Sequence, residues 1–382
     1  MASSQGIHRM KQKTLQEVFK FSLYPIQQFE GTCATYKQPV EITSFSYDSD
    51  KVLHMDDRQL RYYYPPNLAE EADLTKGYDT YIPKENAREP IDALLDALFH
   101  HQQKTGEKAI SGADVVSWRG IFTKILCTPF TRNEPWELGA TLWNEHDTDL
   151  SMAQANAITP RHKEMMYWGY RFETICTVPK PPNEIKSSDD PDLINRKLEL
   201  VNPNIQYCSV AKTTLGRTRL IMGAEVDCSN DVKPPPPQNP VGSYVELKTS
   251  KVIQKEKDQF TFERFKLLKC WAQSFLIGTP KIVFGFRNET GILQSIREFK
   301  TLEIPRIVRG KPGMWDPSIC LNFANQFLEW LRKVVVIDDP RTSYTIMFRK
   351  PFREIEVVHS GVGNSAVAEK YISIFWDTMS KS

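Results

Sequence analysis

The sequence predicts a mixed α/β (α+β) fold: one large domain over residues 1–382, its central mixed β-structure carrying helices on both sides. Three observations predict it. A chain of 382 residues that is 40% hydrophobic has enough apolar material for a sizeable core; by the prior of roughly 100–200 residues per domain it could hold one large domain or two to three ordinary ones. Short strand-like runs bounded by turn residues alternate with stretches whose apolar residues recur at helical spacing. Neighbouring strands are often close enough in sequence to form hairpins, which mixes antiparallel pairs into the sheet.

In chain order, residues 58–64 (RQLRYYY) precede two prolines and read as a loop or edge strand with its tyrosines packed down. Residues 89–103 set Ile91, Leu94, Leu95 and Leu98 at helical spacing behind a proline-led first turn. Residues 160–176 open with Pro160 and read as a helix ending in an apolar sheet region. Two stretches read as exposed loops: 179–195, polar and proline-rich, and 229–242, whose run of four prolines enforces an extended, solvated connection. The second joins strands LIMGAEVDC (220–228) and SYVELKTSK (243–251), which are expected to pair, so it is an excursion and not a domain boundary. Residues 260–278 form a helix with Phe262, Phe265, Leu268, Trp271 and Phe275 on one stripe and Gly278 at its end. Strands at 280–288 and 291–299 flank a tight turn. A long amphipathic helix (317–336) and strands at 343–349 and 354–360 follow.

The net charge of +2 argues against coating long nucleic acid through a broad basic surface and leaves room for a locally basic cleft. The seven cysteines are scattered and form no CxxC pair, which points to reduced, buried thiols in an intracellular protein. No histidines join them at zinc-ligand spacing. The N-terminal run lacks the apolar stretch of a secretory signal, and nothing approaches the roughly 18 apolar residues of a membrane span. Cytoplasm or nucleus is expected, without a membrane partner, and no polybasic cluster chooses between them.

Chemistry concentrates in Glu225-Val-Asp227 and Glu246-Leu-Lys248. A strand alternates its faces with period two, so each pair is expected to project together. Three carboxylates and an ammonium on adjacent strands suit a site that holds divalent metal beside a phosphate. Magnesium takes oxygen ligands, and two such ions about 4 Å apart activate water, compensate charge at phosphorus and stabilise the departing oxyanion. Asp227 and Glu246 are the expected ligands. Glu225 serves a second metal directly or through water, Lys248 orients water or neutralises phosphate, and the Leu247 carbonyl completes the shell where that strand end is unpaired. The competing reading is a pair of solvated strand faces. Against it, Leu220, Ile221, Met222, Val245 and Leu247 mark interior strands, where a carboxylate is costly without a cation. The order of the motifs is also the layout of the PD-(D/E)XK nuclease core.

Other residues bear on the same site. Glu173 ends an aromatic helix and either caps it at the surface or points into the site. Gln273 lies on the helix after the ExK strand; its amide either holds phosphate or water, or faces solvent. Arg119 and Lys124 either bind phosphates or lie at the surface. Lys212, Arg217, Arg219, Arg264, Lys266 and Lys269 are candidates for a phosphate-lined entry, or solvated faces.

Taken together, SWRG (117–120), GYRFE (169–173), GAEVDC (223–228), YVELKTSK (244–251) and WAQSFLIGTPKIVFGFRN (271–288) resemble the Rai/DXO family of RNA 5′-end decapping nucleases. The resemblance continues through WDPSICLNFANQFL (315–328) and DDPR (338–341). It departs at 137–160, where the family has a plain strand and this chain keeps only the apolar beginning. The resemblance implies a PD-(D/E)XK-like core of two mixed β-sheets flanked by helices, with a site for two Mg2+ or Mn2+ ions. It assigns Glu173, Glu225, Asp227, Glu246 and the Leu247 carbonyl to the metal site. Lys248 and Gln273 correspond to groups beside the scissile phosphate, and Arg119 to a substrate contact. The implied activities release pyrophosphate from 5′-triphosphate RNA and remove whole unmethylated or NAD caps, leaving 5′-monophosphate RNA. The Rai branch further implies a nuclear protein that binds and stabilises a Rat/Xrn-type 5′–3′ exoribonuclease. The alternatives are a stand-alone DXO-like decapping exoribonuclease, a mainly non-catalytic partner of the exoribonuclease, and, more distantly, a DNA nuclease of the same core.

Overall fold

Two β-sheets that the chain crosses between organise the molecule. A computed structural model describes residues 17–84, 91–108, 110, 112–143, 147–153, 159–339, 341–362 and 371. Among them, a ten-stranded sheet runs in the order Val18–Ser22, Glu354–Val362, Thr342–Phe348, Trp136–Trp143, Asp147–Ala153, Val115–Trp118, Thr218–Glu225, Gln206–Leu215, Val40–Tyr47, Leu53–His54. A six-stranded sheet runs Leu293–Lys300, Lys281–Arg287, Tyr244–Lys251, Cys228–Ser229, Tyr62–Tyr63, Thr177–Val178. Both are mixed, as expected: strand 218–225 is parallel to 115–118 and antiparallel to 206–215, and strand 244–251 is parallel to 281–287 and antiparallel to 228–229.

The strand alternation sorts the core. Leu220 and Met222 of the large sheet share an apolar cluster with Ile282, Phe284 and Phe286 of the small one, through helices Arg119–Cys127, Leu267–Ile277 and Pro317–Val334. The opposite face of the large sheet, with Val210 and Ile221, packs on Leu94 and Leu98 of helix Asp92–Thr105. The opposite face of the small sheet, with Val245, Leu247 and Val283, packs on Tyr167, Trp168 and Phe172 of helix Pro160–Ile175. Gly285 makes that seat possible, because a Cβ there would lie 2.5 Å from the Phe172 ring.

Several expectations change. The two acid-bearing strands do not pair; they belong to different sheets. Residues 179–195 are not wholly a loop: helix Pro191–Leu198 starts inside them, with the Asp190 side chain accepting from the Asp192 N–H and Pro191 in the first turn. The 229–242 excursion does return to the fold, but its end is buried at Val241. The helix expected over 260–278 is an α-turn at Glu256–Thr261, a π-turn at Phe262–Lys266 and an α-helix at Leu267–Ile277. The wider turn shifts the helical phase, so Phe265 falls off the buried stripe and is 42% exposed. Tyr62–Tyr63 is an interior strand of the small sheet, not an edge. The 137–160 stretch holds two antiparallel strands, Trp136–Trp143 and Asp147–Ala153, where only an apolar beginning was expected. Pro90, expected to lead its helix, lies outside the described residues.

Helix 160–175 is braced from below. Arg171 donates to the Lys197 carbonyl (2.6 Å) at the end of helix 191–198. That helix is pinned by Arg196, which grips Glu71 at 2.9 and 3.0 Å with the two side chains 3% and 2% exposed. Removing one partner strands a buried charge, which costs about 3–5 kcal/mol. Arg196→Met is expected to lose stability of that order in urea melts, and Glu71→Leu with Arg196→Met to recover most of it. An unchanged midpoint in the single variant would show that the pair is not the brace.

Candidate active site

The site forms where the chain changes sheets. Strand 218–225 ends at Glu225; the Val226 N–H still donates to the Tyr207 carbonyl (2.9 Å), and Cys228 is already paired with Val245 in the other sheet. Asp227 lies in the gap. The strand that receives it, Cys228–Ser229, covers only Tyr244 and Val245, so among the described residues the edge of strand 244–251 beyond Val245 meets no strand on that side. Asp227 Oδ2 accepts the Leu247 N–H there (2.6 Å), and the Leu247 carbonyl accepts from Lys248 Nζ (2.9 Å). The strand end expected to be unpaired is bonded to the site itself.

Glu246 and Lys248 share a face as the period of two requires, with Nζ 2.5 Å from Glu246 Oε1. The same ammonium is 3.4 Å from Asp227 Oδ2. Strand 115–118 pairs Trp118 with Gly223, so Arg119 leaves the large sheet beside the end of strand 218–225. Its Nη1 is 3.0 Å from Glu246 Oε2. Glu173 arrives from helix 160–175 and lies within the fields of Asp227, Lys248, Glu225 and Glu246, so it faces the site. Strand 218–225 ends on Glu225, so no strand carries it together with Asp227, although its charge reaches that carboxylate. Its side chain is 42% exposed and stands 3.6 Å from Lys84 Nζ, at the mouth. Helix 267–277 covers the other side: Cys270 lies in the fields of Lys248 and Glu246, and Gln273, half-buried, follows three residues later on the same face.

The carboxylates divide by their neighbours. Burial pushes Glu246 up, but Lys248 and Arg119 outweigh it and bring it down to about 2. Burial pushes Asp227 up to about 6, with Glu246 and Glu225 adding to burial and Lys248 and the Leu247 N–H opposing it. Burial and the neighbouring carboxylates raise Glu173 well above the usual carboxylate range. Lys248 is held above the usual lysine range, because Asp227, Glu246 and Glu173 outweigh its burial.

Among the described residues no three ligand groups already converge as a metal site; Lys248 and Arg119 occupy the carboxylates. The donor set fits a hard divalent cation nonetheless. It is all oxygen, and Glu173 and Asp227 resist ionisation because the buried carboxylates outnumber the cations among them.

Two residues at the mouth escaped sequence reading. Tyr170 is pushed up to about 12 by burial, with Glu173 and Glu225 adding to it and Lys84 opposing. It precedes Glu173 by three residues, a helical spacing that signals a shared face; Lys84 had no such signal. Of the candidate entry cations, Arg219 pairs with Asp114 (3.1 Å), Lys269 with Glu134 (2.8 Å), and Arg264 donates to the Phe130 carbonyl (2.9 Å). Lys124 is half-buried, its ammonium disfavoured by that burial. Lys212 and Arg217 are exposed and Lys266 half-buried.

Residues 37–372 match the family model for RAI1-like PD-(D/E)XK nucleases. The chain is 44% identical over 321 residues to the decapping nuclease RAI1 of Emericella nidulans, covering 82% of this chain and 87% of that protein. It is 40% identical over 326 residues to the decapping and exoribonuclease protein of Mus musculus, covering 82% and 79%. Candida albicans Rai1, solved in complex with pU5-Mn2+, superposes with a TM-score of 0.81 at 28% identity, covering 94% of this chain and 95% of that one. Scheffersomyces stipitis Rai1, solved with (3′-NADP)+ and a calcium ion, superposes at 0.78 with 28% identity, covering 93% and 95%.

Protons on Glu173 and Asp227 stabilise the metal-free fold, a contribution lost as pH rises through about 6 for Asp227. A divalent cation must displace those protons. The gain in melting temperature on adding Mn2+ is therefore expected to grow from about pH 5.5 to about pH 7.5, a window that brackets the Asp227 value. A gain that shrinks across this window in thermal melts would contradict the electrostatic reading.

Proposed function

Because this chain belongs to the RAI1-like PD-(D/E)XK nuclease family, we propose a divalent-metal-dependent RNA decapping nuclease that leaves 5′-monophosphate RNA. Its substrates are 5′-triphosphate RNA, from which it releases pyrophosphate, and RNAs with unmethylated or NAD caps, from which it removes the whole cap. The observation that carries the reading is Lys248 placed between Asp227 and Glu246 at the seam of the two sheets, with Glu173 facing them. The names of the relatives above and the pU5-Mn2+ complex of the Candida protein support the RNA substrate and the metal.

Glu173, Asp227, Glu246 and the Leu247 carbonyl, with Glu225 at the mouth, would hold two Mg2+ or Mn2+ ions, which supply charge compensation at phosphorus and make water acidic enough to attack. Lys248, whose proton those carboxylates hold in the metal-free site, would donate to a phosphate oxygen or the attacking water. Arg119 fixes the orientation of Glu246 and offers the remainder of its guanidinium to substrate phosphate. Gln273 presents an amide from the covering helix to the phosphate or the water. Each reaction is water attack on phosphorus with a different leaving group, so one site serves all of them.

The Rai branch supports two further elements, residence in the nucleus and binding to a Rat/Xrn-type 5′–3′ exoribonuclease. A second reading, a stand-alone decapping exoribonuclease, is favoured by the mouse relative, whose name includes that activity and whose identity is close to that of the fungal one.

Purified protein offered RNAs with 5′ triphosphate, unmethylated cap, NAD cap or monophosphate, with Mg2+ or Mn2+, separates these readings by product. Release of pyrophosphate and intact caps supports end processing, and shortening of monophosphate RNA supports the exoribonuclease. Asp227→Ala and Glu246→Ala are each expected to abolish every activity while remaining folded by circular dichroism. Full activity in either would sink the site assignment.

A further inference from the structure

A second set of buried polar groups ties the sheets together beside the carboxylates. Tyr244 lies two residues before Glu246 on the same strand face, and its hydroxyl donates to Glu41 Oε2 in the large sheet (2.6 Å). Tyr207, also in the large sheet, meets the Tyr244 hydroxyl with its own (2.8 Å), while its backbone carbonyl accepts the Val226 N–H (2.9 Å). Lys233, from the proline-rich excursion, donates to the Tyr207 hydroxyl (2.8 Å) and to Ser44 Oγ (2.9 Å) and stands 2.9 Å from Glu41 Oε1. All three ammonium protons thus have acceptors. Ser209 Oγ adds another donor to Glu41 Oε2 (2.6 Å). Asn239 fastens the far end of the excursion, accepting the Glu41 N–H (3.2 Å) and donating to the Pro39 carbonyl (2.8 Å).

Tyr207 therefore holds both sides of the seam, the segment between Glu225 and Asp227 through its backbone and the Glu246 strand through its hydroxyl. We propose that Tyr207 and Tyr244, locked by Glu41 and Lys233, are positioning residues that set the spacing between Asp227 and Glu246. The inference rests on the reading of those two carboxylates as the hydrolytic pair. A buried ring of hydrogen bonds with each member satisfied fixes one geometry, and a shift of about 1 Å passed from outside the chemistry to a reacting centre is worth roughly 100-fold in rate. It also gives the 229–242 excursion a task, delivery of Lys233 to the ring.

Tyr207→Phe and Tyr244→Phe keep both aromatic rings and delete the hydroxyls. Leu60→Ala is the control: it loosens the apolar cluster of Leu60, Tyr207, Val226, Val241 and Tyr244 and leaves the hydrogen bonds in place. In the full chain, Mn2+ binding is read by calorimetry and turnover with 5′-triphosphate RNA. The tyrosine variants are expected to fold, to bind Mn2+ about tenfold more weakly or worse, and to lose roughly 10- to 100-fold in kcat with KM little changed. Leu60→Ala is expected to keep its metal affinity. Folded tyrosine variants with unchanged Mn2+ affinity and kcat overturn the proposal, as does Leu60→Ala weakening the metal as much as they do. Where a tyrosine variant does not fold, Lys233→Gln reads the same quantities with the same expected and overturning outcomes. Asp227→Ala separates the two levels: its retained activity would fail the site reading and the inference with it. Its inactivity beside unchanged tyrosine variants fails the positioning role alone.

Discussion

The site depends on one event in the chain, its passage from the large sheet to the small one between Glu225 and Cys228. A strand that continued through Asp227 would have spent that residue's neighbours on ladder hydrogen bonds. Because strand 218–225 stops and the receiving strand is two residues long, the edge of strand 244–251 beyond Val245 is left open. Asp227 takes the Leu247 N–H at that edge, and the adjacent Lys248 reaches both Asp227 and Glu246. Helix 160–175, seated on the opposite face of the same sheet by the contact of Phe172 with Gly285, brings Glu173 around the open edge. Asp227, Lys248 and Glu246 meet because of that change of sheet, while Arg119 and Gln273 are brought to them by helices 119–127 and 267–277.

The electrostatics follow from how the two cations are shared. At an effective dielectric near 20, an ion pair at contact is worth on the order of 4 kcal/mol, comparable to the several kcal/mol lost on burying each ion. One good partner roughly balances burial, and two outweigh it. Glu246 has two, Lys248 at 2.5 Å and Arg119 at 3.0 Å, and its carboxyl falls to about 2. Asp227 has a longer share of Lys248 and one backbone N–H, and it rises to about 6. Glu173 is raised well above the usual carboxylate range by burial, with its neighbouring carboxylates adding and Lys248 opposing. The directions of these shifts mark Glu173 and Asp227 as positions where more positive charge would be stabilising.

Much of this was legible in the sequence, and the failures share a cause. Glu246 and Lys248 lie on one strand, so their common face follows from the period of two. Helices 160–175 and 317–334 carry prolines in the first turn and were read nearly to the residue. Glu225 and Asp227 obey the same arithmetic only while a strand continues, and no residue type announces that a strand changes sheets at Val226. The π-turn at Phe262–Lys266 is another such slip: the apolar spacing was counted correctly, but the wider turn put Phe265 outside. The start of helix 191–198 was written in Asp190-Pro191, yet hidden by a composition that reads as loop. Lys84 was invisible because proximity in space to Glu225 leaves no trace in spacing along the chain.

Burial also separates chemistry from selection on the proposed function. Glu246, Arg119 and Lys248 have side chains 3%, 12% and 23% exposed, and these groups act on the phosphorus that all the proposed substrates share. Lys84 and Glu225, at 31% and 42%, form the rim, where leaving groups as unlike as pyrophosphate and a whole cap must differ in their contacts. A buried group cannot be altered without disturbing the charge balance of the others, since each cation there serves two carboxylates or backs one that is shared. Glu225 still reaches that balance through the fields of Asp227 and Glu173, and only rim groups beyond it are free to vary with the 5′ end they meet. A site built in this way keeps one hydrolytic centre for several substrates and leaves their discrimination to its mouth.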